Sequence, residues 1–94
     1  MRFDWDPAKN QWTLDHRGFD FNFFSRIFEG YTLRDLDTRQ DYGEIRVSAS
    51  GEIDGRIFVV VFTMREPDIC RIFSGRKAND RETKRYWQAK QSDK

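Results

Sequence analysis

The run Ile57-Phe58-Val59-Val60-Val61-Phe62 is the longest apolar stretch in the chain and restricts the fold more than any other feature. Its β-branched and aromatic residues follow one another without alternation. Both faces therefore need cover, which places the segment at the centre of a sheet. It is far shorter than the ~18–20 residues that cross a bilayer, so no membrane span is expected. Turn signals on either side define its neighbours. Glu44 to Ser50 alternates Ile45, Val47 and Ala49 with Glu44, Arg46 and Ser48, a half-buried strand. Gly51 to Gly55 reads as the turn of a hairpin into Arg56–Arg65. Glu66-Pro67-Asp68 turns the chain again into a third strand, Ile69 to Ser74. Alternation puts Cys70, Ile72 and Ser74 on one of its faces and Ile69, Arg71 and Phe73 on the other. Gly75 is expected to end it.

The flanking segments carry a helical period. Phe3 and Trp5 alternate as a short opening strand, and Asp6-Pro7 then supplies an N-cap followed by Pro at the first helical position. A helix from Pro7 to about Arg17 ends at Gly18, a C′ terminator. Asp20 starts a second helix, with Phe21, Phe24, Ile27 and Phe28 on one face and Gly30 at its end. Tyr31, Leu33 and Asp35 open a strand, and Asp37 to Gly43 is polar and loop-like. Asn79-Asp80-Arg81-Glu82 matches a capping box for a last helix reaching about Lys90, with 91–94 a frayed tail. The expectation is one α+β domain over residues 1–94: two N-terminal helices, an antiparallel β-meander and one C-terminal helix.

Charge adds a clue that the total conceals. The net charge is +1, yet residues 1–64 carry 8 basic and 11 acidic side chains, while residues 65–94 carry 9 and 5. A basic C-terminal third hints at a polyanion or a charged partner. Cys70 is the only cysteine and His16 the only histidine, so neither a disulfide nor a multi-Cys zinc site is expected, and a transition-metal site is improbable. The N-terminus lacks the apolar region of a secretion signal, which points to the cytoplasm.

Three strings together carry a family resemblance. The chain opens with Phe3-x-Trp5-Asp6-Pro7-x-Lys9-Asn10, continues with Gly55-Arg56-x-x-Val59-Val60-Val61-Phe62-Thr63-x-Arg65, and closes with Arg71-Ile72-x-Ser74-x-Arg76-Lys77-Ala78 followed by Glu82 and Tyr86. In this order and spacing they resemble the BrnT family of bacterial toxins over nearly the whole chain. The resemblance implies a small RelE-like domain acting as a ribonuclease toxin of a type II toxin–antitoxin system. It implies metal-independent RNA cleavage that arrests translation, with no cofactor. The implied partners are an RNA substrate and a BrnA-like ribbon-helix-helix antitoxin in a hetero-oligomer, with DNA reached only through the antitoxin. The chain departs from the family at three points. His16-Arg17-Gly18 stands where Lys-His-Gly is common, Met64 replaces an acidic residue, and Gly75 replaces Ala.

Such an activity needs a base for the 2′-OH, a proton donor for the leaving 5′-oxygen and cations around the phosphorane-like transition state. Arg76 and Lys77, where the third strand passes into the last helix, are candidate phosphate ligands. Arg65, Arg71, Arg81 and Arg85 extend the cationic surface for RNA. His16, Glu44 and Tyr86 are the candidates for proton transfer. Each has a plainer alternative. Tyr86 serves equally as the packing anchor of a helix with few aliphatic residues, Glu82 as a cap, His16 as an exposed helical residue, and Lys84 and Lys90 as a solvated face. Trp5 and Trp12 either stack bases or fill the core. Phe19 and Phe23 lie outside the helical stripe, as an exposed apolar patch would for an antitoxin helix. The displaced histidine and Met64 keep open a second reading, a degenerate toxin that binds RNA or antitoxin without catalysis. A repressor acting alone is disfavoured, since no DNA-reading pattern is present.

Overall fold

β4, Arg56–Arg65, is buried without interruption from Ile57 to Thr63 in the computed structural model, which describes residues 1–92. It lies third in a five-stranded sheet of order β1-β5-β4-β3-β2, built from β1 (Arg2–Trp5), β2 (Thr32–Leu36), β3 (Val47–Ile53) and β5 (Ile69–Lys77). β2 to β5 pair antiparallel, neighbour to neighbour. β1 pairs parallel with β5, with Phe3 opposite Cys70 and Trp5 opposite Ile72. The sheet is therefore mixed rather than a purely antiparallel meander. The opening strand satisfies backbone groups on the edge that β5 would otherwise leave open.

One face of the sheet is covered by the segment that crosses from β1 to β2. Helix α1 spans Pro7–Arg17, with the Asp6 carboxylate accepting from the Ala8 amide and Gly18 in the left-handed region at φ 83°. Helix α2, Phe21–Phe24, is capped by Asp20 and tightens at once into a 3₁₀ turn over Ser25–Glu29. The single helix expected over 20–30 is thus split. Its apolar residues explain the tightening: Phe21, Phe24 and Ile27 recur every third position, a spacing that a 3₁₀ period keeps in line better than 3.6 residues per turn. All three are fully buried on Ala49, Phe58, Val60, Phe62, Cys70 and Ile72. Phe19 and Phe23 are half-buried, stacked on each other at 4.4 Å and edge-on to Phe58 at 5.3 and 5.2 Å. They extend the core and form no exposed apolar patch. Burial also pushes the Cys70 thiol up to about 11.

Strand limits depart from simple alternation in ways that packing explains. β3 starts at Val47, not Glu44, and passes through Gly51, where an added Cβ would stand 2.6 Å from the Cβ of Ile27. The hairpin turn shrinks to Asp54-Gly55, both at positive φ (51° and 85°), as a two-residue primed turn requires. β5 runs through Gly75 to Lys77 because the Phe24 ring lies directly on that glycine. A Cβ there would stand 2.3 Å from Phe24 Cδ2. Helix α3, Asp80–Ser92, keeps Gln91 and Ser92 helical, while positions 93 and 94 of the expected frayed tail lie outside the described residues. Among the described residues no helix is long and apolar enough to cross a membrane.

One irregularity decides which side chains meet on the opposite face. Val61 pairs with Ser74 but Phe62 pairs with Ile72, so Phe73 is the extra residue of a β-bulge. The alternation expected to hold Ser74 with Cys70 and Ile72 is reset there. Ser74 and Arg76 share the face of Val59 and Val61, away from the buried Phe58, Val60 and Phe62.

Gly75→Ala is expected to lower stability by about 1–3 kcal/mol, since a methyl group must displace the Phe24 ring. In a Phe24→Leu background the same change should cost clearly less, as urea midpoints of the double-mutant cycle would reveal. Equal costs in both backgrounds would show that the ring is not the obstacle.

Candidate active site

The face of β4 turned away from α2 is only partly covered. The Tyr86 ring of α3 is 1% exposed beside Tyr31, and its hydroxyl donates to the Tyr31 carbonyl. Nearer the middle of β4, Val59 and Val61 form the floor of a cleft of about 520 Å³, with Ser48 and Ser74 beside them. Three guanidinium groups line its walls, those of Arg17, Arg39 and Arg76, together with Asp37 and Thr38. Each reaches the cleft from a different element. Arg17 ends α1 and donates to the Gly75 carbonyl at 2.8 Å. Arg76 is placed by the bulge. Arg39 comes from the 37–46 loop.

That loop is well organised. The Asp37 carboxylate, 4% exposed, accepts from Arg39 at 2.8 and 2.9 Å and from the Tyr42 hydroxyl at 3.2 Å. The Arg39 guanidinium holds Asp37 down at about 2. The Arg46 guanidinium is stacked between the rings of Tyr42 and Phe73, at 4.0 and 3.7 Å from their centroids. Glu44 pairs with Arg65 at 3.3 Å and with Arg46 at 3.9 Å. It therefore braces the loop and does not line the cleft.

Arg76 is the expected phosphate ligand that the fold does bring into the cleft. Its two terminal nitrogens meet both oxygens of Glu82 at 2.8 Å. Glu82 in turn accepts from the Asn79 amide, while the Asn79 side chain accepts from the Glu82 amide, the reciprocal capping box expected at the start of α3. The Arg76 guanidinium, followed by the Asn79 amide, holds the Glu82 carboxyl at about 2. Both carboxylates around the cleft are thus kept ionised by arginine.

The other expected residues are dispersed. Lys77 follows Arg76 by one position and does not line the cleft; it lies 5.8 Å from the Phe19 ring and shares a neighbouring hollow of about 250 Å³ with Arg17 and Arg76. His16 is exposed on α1, stacked on Trp12 at 4.3 Å and bonded through Nδ1 to the Trp12 carbonyl. Tyr86 is buried as a packing anchor, and burial raises its phenol. Arg71 pairs with Asp4, Arg85 with Asp35 and Arg65 with Glu44, all outside the cleft. Arg81 is exposed on α3.

The residues not singled out from sequence are Arg17, Asp37, Arg39, Ser48 and Ser74. Two of them carried a signal: Ser74 stands in the third family string, and Arg17 occupies the position before Gly18 where the resembled family commonly has histidine. The structure turns that position, and not the preceding one, into the cleft.

Lowering the pH should remove the stability that Glu82 contributes. Its carboxyl titrates near 2 when folded against about 4.5 unperturbed. The contribution is therefore complete above about pH 5 and fades as pH falls toward 2. Glu82→Gln is expected to be less stable than the parent at pH 7, with the two urea midpoints converging by pH 2–3. A gap that stays constant with pH would contradict the pairing.

A model of the family described as "Ribonuclease toxin, BrnT, of type II toxin-antitoxin system" matches residues 5–82. Among solved structures, the crystal structure of the ribonuclease toxin BrnT of Brucella abortus is similar, with a TM-score of 0.63 and 26% identity. The match covers 85% of this chain and 99% of that one. No curated protein matches the chain.

Proposed function

This chain belongs to the BrnT family, ribonuclease toxins of type II toxin–antitoxin systems, and from that membership we propose that the arginine-lined cleft cleaves RNA without a metal ion. The observation that carries the reading is the convergence of Arg17, Arg39 and Arg76 over one open floor. Cleavage by a neighbouring 2′-OH forms the bond from that oxygen to phosphorus and breaks the bond to the 5′-oxygen. It leaves a 2′,3′-cyclic phosphate and a free 5′-hydroxyl. Negative charge gathers on the non-bridging oxygens as the phosphorane forms. Guanidinium groups fixed beforehand around that position stabilise it, and arginine binds two such oxygens at once.

Proton transfer follows from what lines the cleft. Asp37 and Glu82 are held ionised by arginine, so they orient guanidinium groups and are poor bases. His16, Glu44 and Tyr86 lie elsewhere. We assign the rate to electrostatic stabilisation, with solvent hydroxide removing the 2′-OH proton and water protonating the leaving oxygen. The rate should then rise roughly tenfold per pH unit over pH 6–9. The family further supports translation arrest as the outcome, a cytoplasmic setting, and neutralisation by a BrnA-like ribbon-helix-helix antitoxin through which any contact with DNA is made.

The test uses purified protein, RNA and excess chelator. Arg76→Ala and Arg17→Ala should each lose about 10²–10³-fold in cleavage rate, and His16→Ala should leave the shape of the pH profile unchanged. Cleavage that disappears with chelator and returns with magnesium would overturn metal independence. A bell-shaped pH profile abolished by His16→Ala would return the histidine to the mechanism. RNA left intact by the parent protein while still bound tightly would favour the non-catalytic module.

A further inference from the structure

Beside the arginine cleft lies a smaller hollow of about 260 Å³ between α1 and the bulge of β5, and its walls are unlike those of the cleft. Trp12 and Phe73 provide two aromatic sides, Lys9 and Arg17 two cations, and Thr13 and Ser74 the remaining boundary. Arg17 and Ser74 line both spaces, so the hollow opens onto the place where phosphate is expected.

Trp12 is the unusual component. An indole this size normally contributes to the core, yet its residue is 50% exposed. Two contacts hold it at the surface in a defined orientation. The His16 ring stacks on it at 4.3 Å with planes 17° apart, and the Arg17 guanidinium lies 5.3 Å from its centroid. Thr13, the one buried residue of α1, fixes the helix beside it. Phe73 faces it only because the bulge inserts an extra residue into β5.

We propose that this hollow is a nucleobase subsite, in which Trp12 is the platform for the base adjoining the phosphate held by Arg17 and Arg76. The inference deepens the ribonuclease reading and rests on it. An aromatic wall next to a guanidinium matches one nucleotide of a single strand: the flat base meets the ring and the phosphate meets the cation. Base-on-aromatic contact tolerates different bases and loses affinity when the ring is removed. In a duplex both faces of a base are covered by its stacked neighbours, so only an unpaired base offers a face to the ring, and the substrate is unpaired RNA. His16 acquires a role here as well. Stacked on Trp12, it is a positioning residue for the platform, which accounts for an imidazole on the helix face beside the cleft.

The test measures binding without chemistry, using a fully 2′-O-methylated tetranucleotide that cannot be cleaved. An abasic residue is placed at each position in turn, and affinity is read by fluorescence anisotropy. The parent should lose about tenfold at one position and little elsewhere. Trp12→Ala should bind every version alike, at the level of the parent with the worst abasic probe, and Trp12→Phe should recover most of the difference. Because Trp12 is half-exposed, folding of both variants is checked by their urea midpoints. An abasic penalty of the same size in Trp12→Ala, or no position-dependent penalty in the parent, would overturn the subsite. Cleavage of natural RNA is assayed in parallel. A Trp12-dependent penalty in a protein that cleaves nothing keeps the subsite and sinks the ribonuclease reading, whereas cleavage with no such penalty does the reverse.

Discussion

The bulge at Phe73 is the constraint on which the site depends. A strand alternates its side chains with period two, so one extra residue exchanges the faces of everything beyond it. Before the bulge, Cys70 and Ile72 of β5 point into the core; after it, Ser74 and Arg76 point away from it. Were Phe73 paired in regular alternation instead of bulged, Arg76 would share the parity of Ile72 and its side chain would start toward the Phe24 ring. Gly75 is then the position turned toward the core, and the ring fills the space where a side chain would begin. The glycine that interrupts the sequence pattern is therefore required by the same shift that exposes the arginine. It seats that segment against the Phe24 ring.

Charge placement follows a second regularity. The C-terminal segment carries the excess of cations, and much of that excess is met by carboxylates from the acidic remainder: Asp4 on Arg71, Asp35 on Arg85 and Glu44 on Arg65. These contacts tie β5 to β1, α3 to β2 and the end of β4 to the loop, and they neutralise much of the broad basic surface that sequence alone suggested. Exposed pairs of this kind are weak and readily exchanged for a phosphate that binds the guanidinium bidentately. The pairing of Arg76 with Glu82 is better understood as orientation than as blockade. Arg17 differs, since a carbonyl and an aromatic ring anchor the positive charge it brings to the cleft.

How much of this was legible in the sequence depends on the range of the interactions involved. Asp6, Pro7 and Gly18 delimit α1 through contacts within a few residues, and Asn79 and Glu82 start α3 in the same way. β4 announces itself by composition. The family could be read from three short strings. The bulge could not, because nothing in Phe73-Ser74-Gly75 distinguishes an extra residue from a continuing alternation until the partner strand is known. In the sequence residues 37–43 read only as polar and 44–46 as strand, although Asp37 and Arg46 organise one loop through Tyr42 and Phe73. Tyr86 was ambiguous for a related reason: a phenol at that spacing serves a core or a site equally well until Tyr31 is placed beside it.

The one-residue displacement of the histidine has a larger consequence than its size suggests. Adjacent residues on an α-helix are separated by about 100° around the axis, so of the two only Arg17 lines the cleft, while both rest on Trp12, His16 by stacking and Arg17 through its guanidinium. The charge of Arg17 does not change across the physiological range. A site with imidazole at the inward position could exchange protons near neutrality. With guanidinium there, the site gains a permanent cation and relinquishes that exchange. On the proposed mechanism the substitution favours charge stabilisation over proton transfer, and it leaves the imidazole stacked on Trp12 beside the cleft.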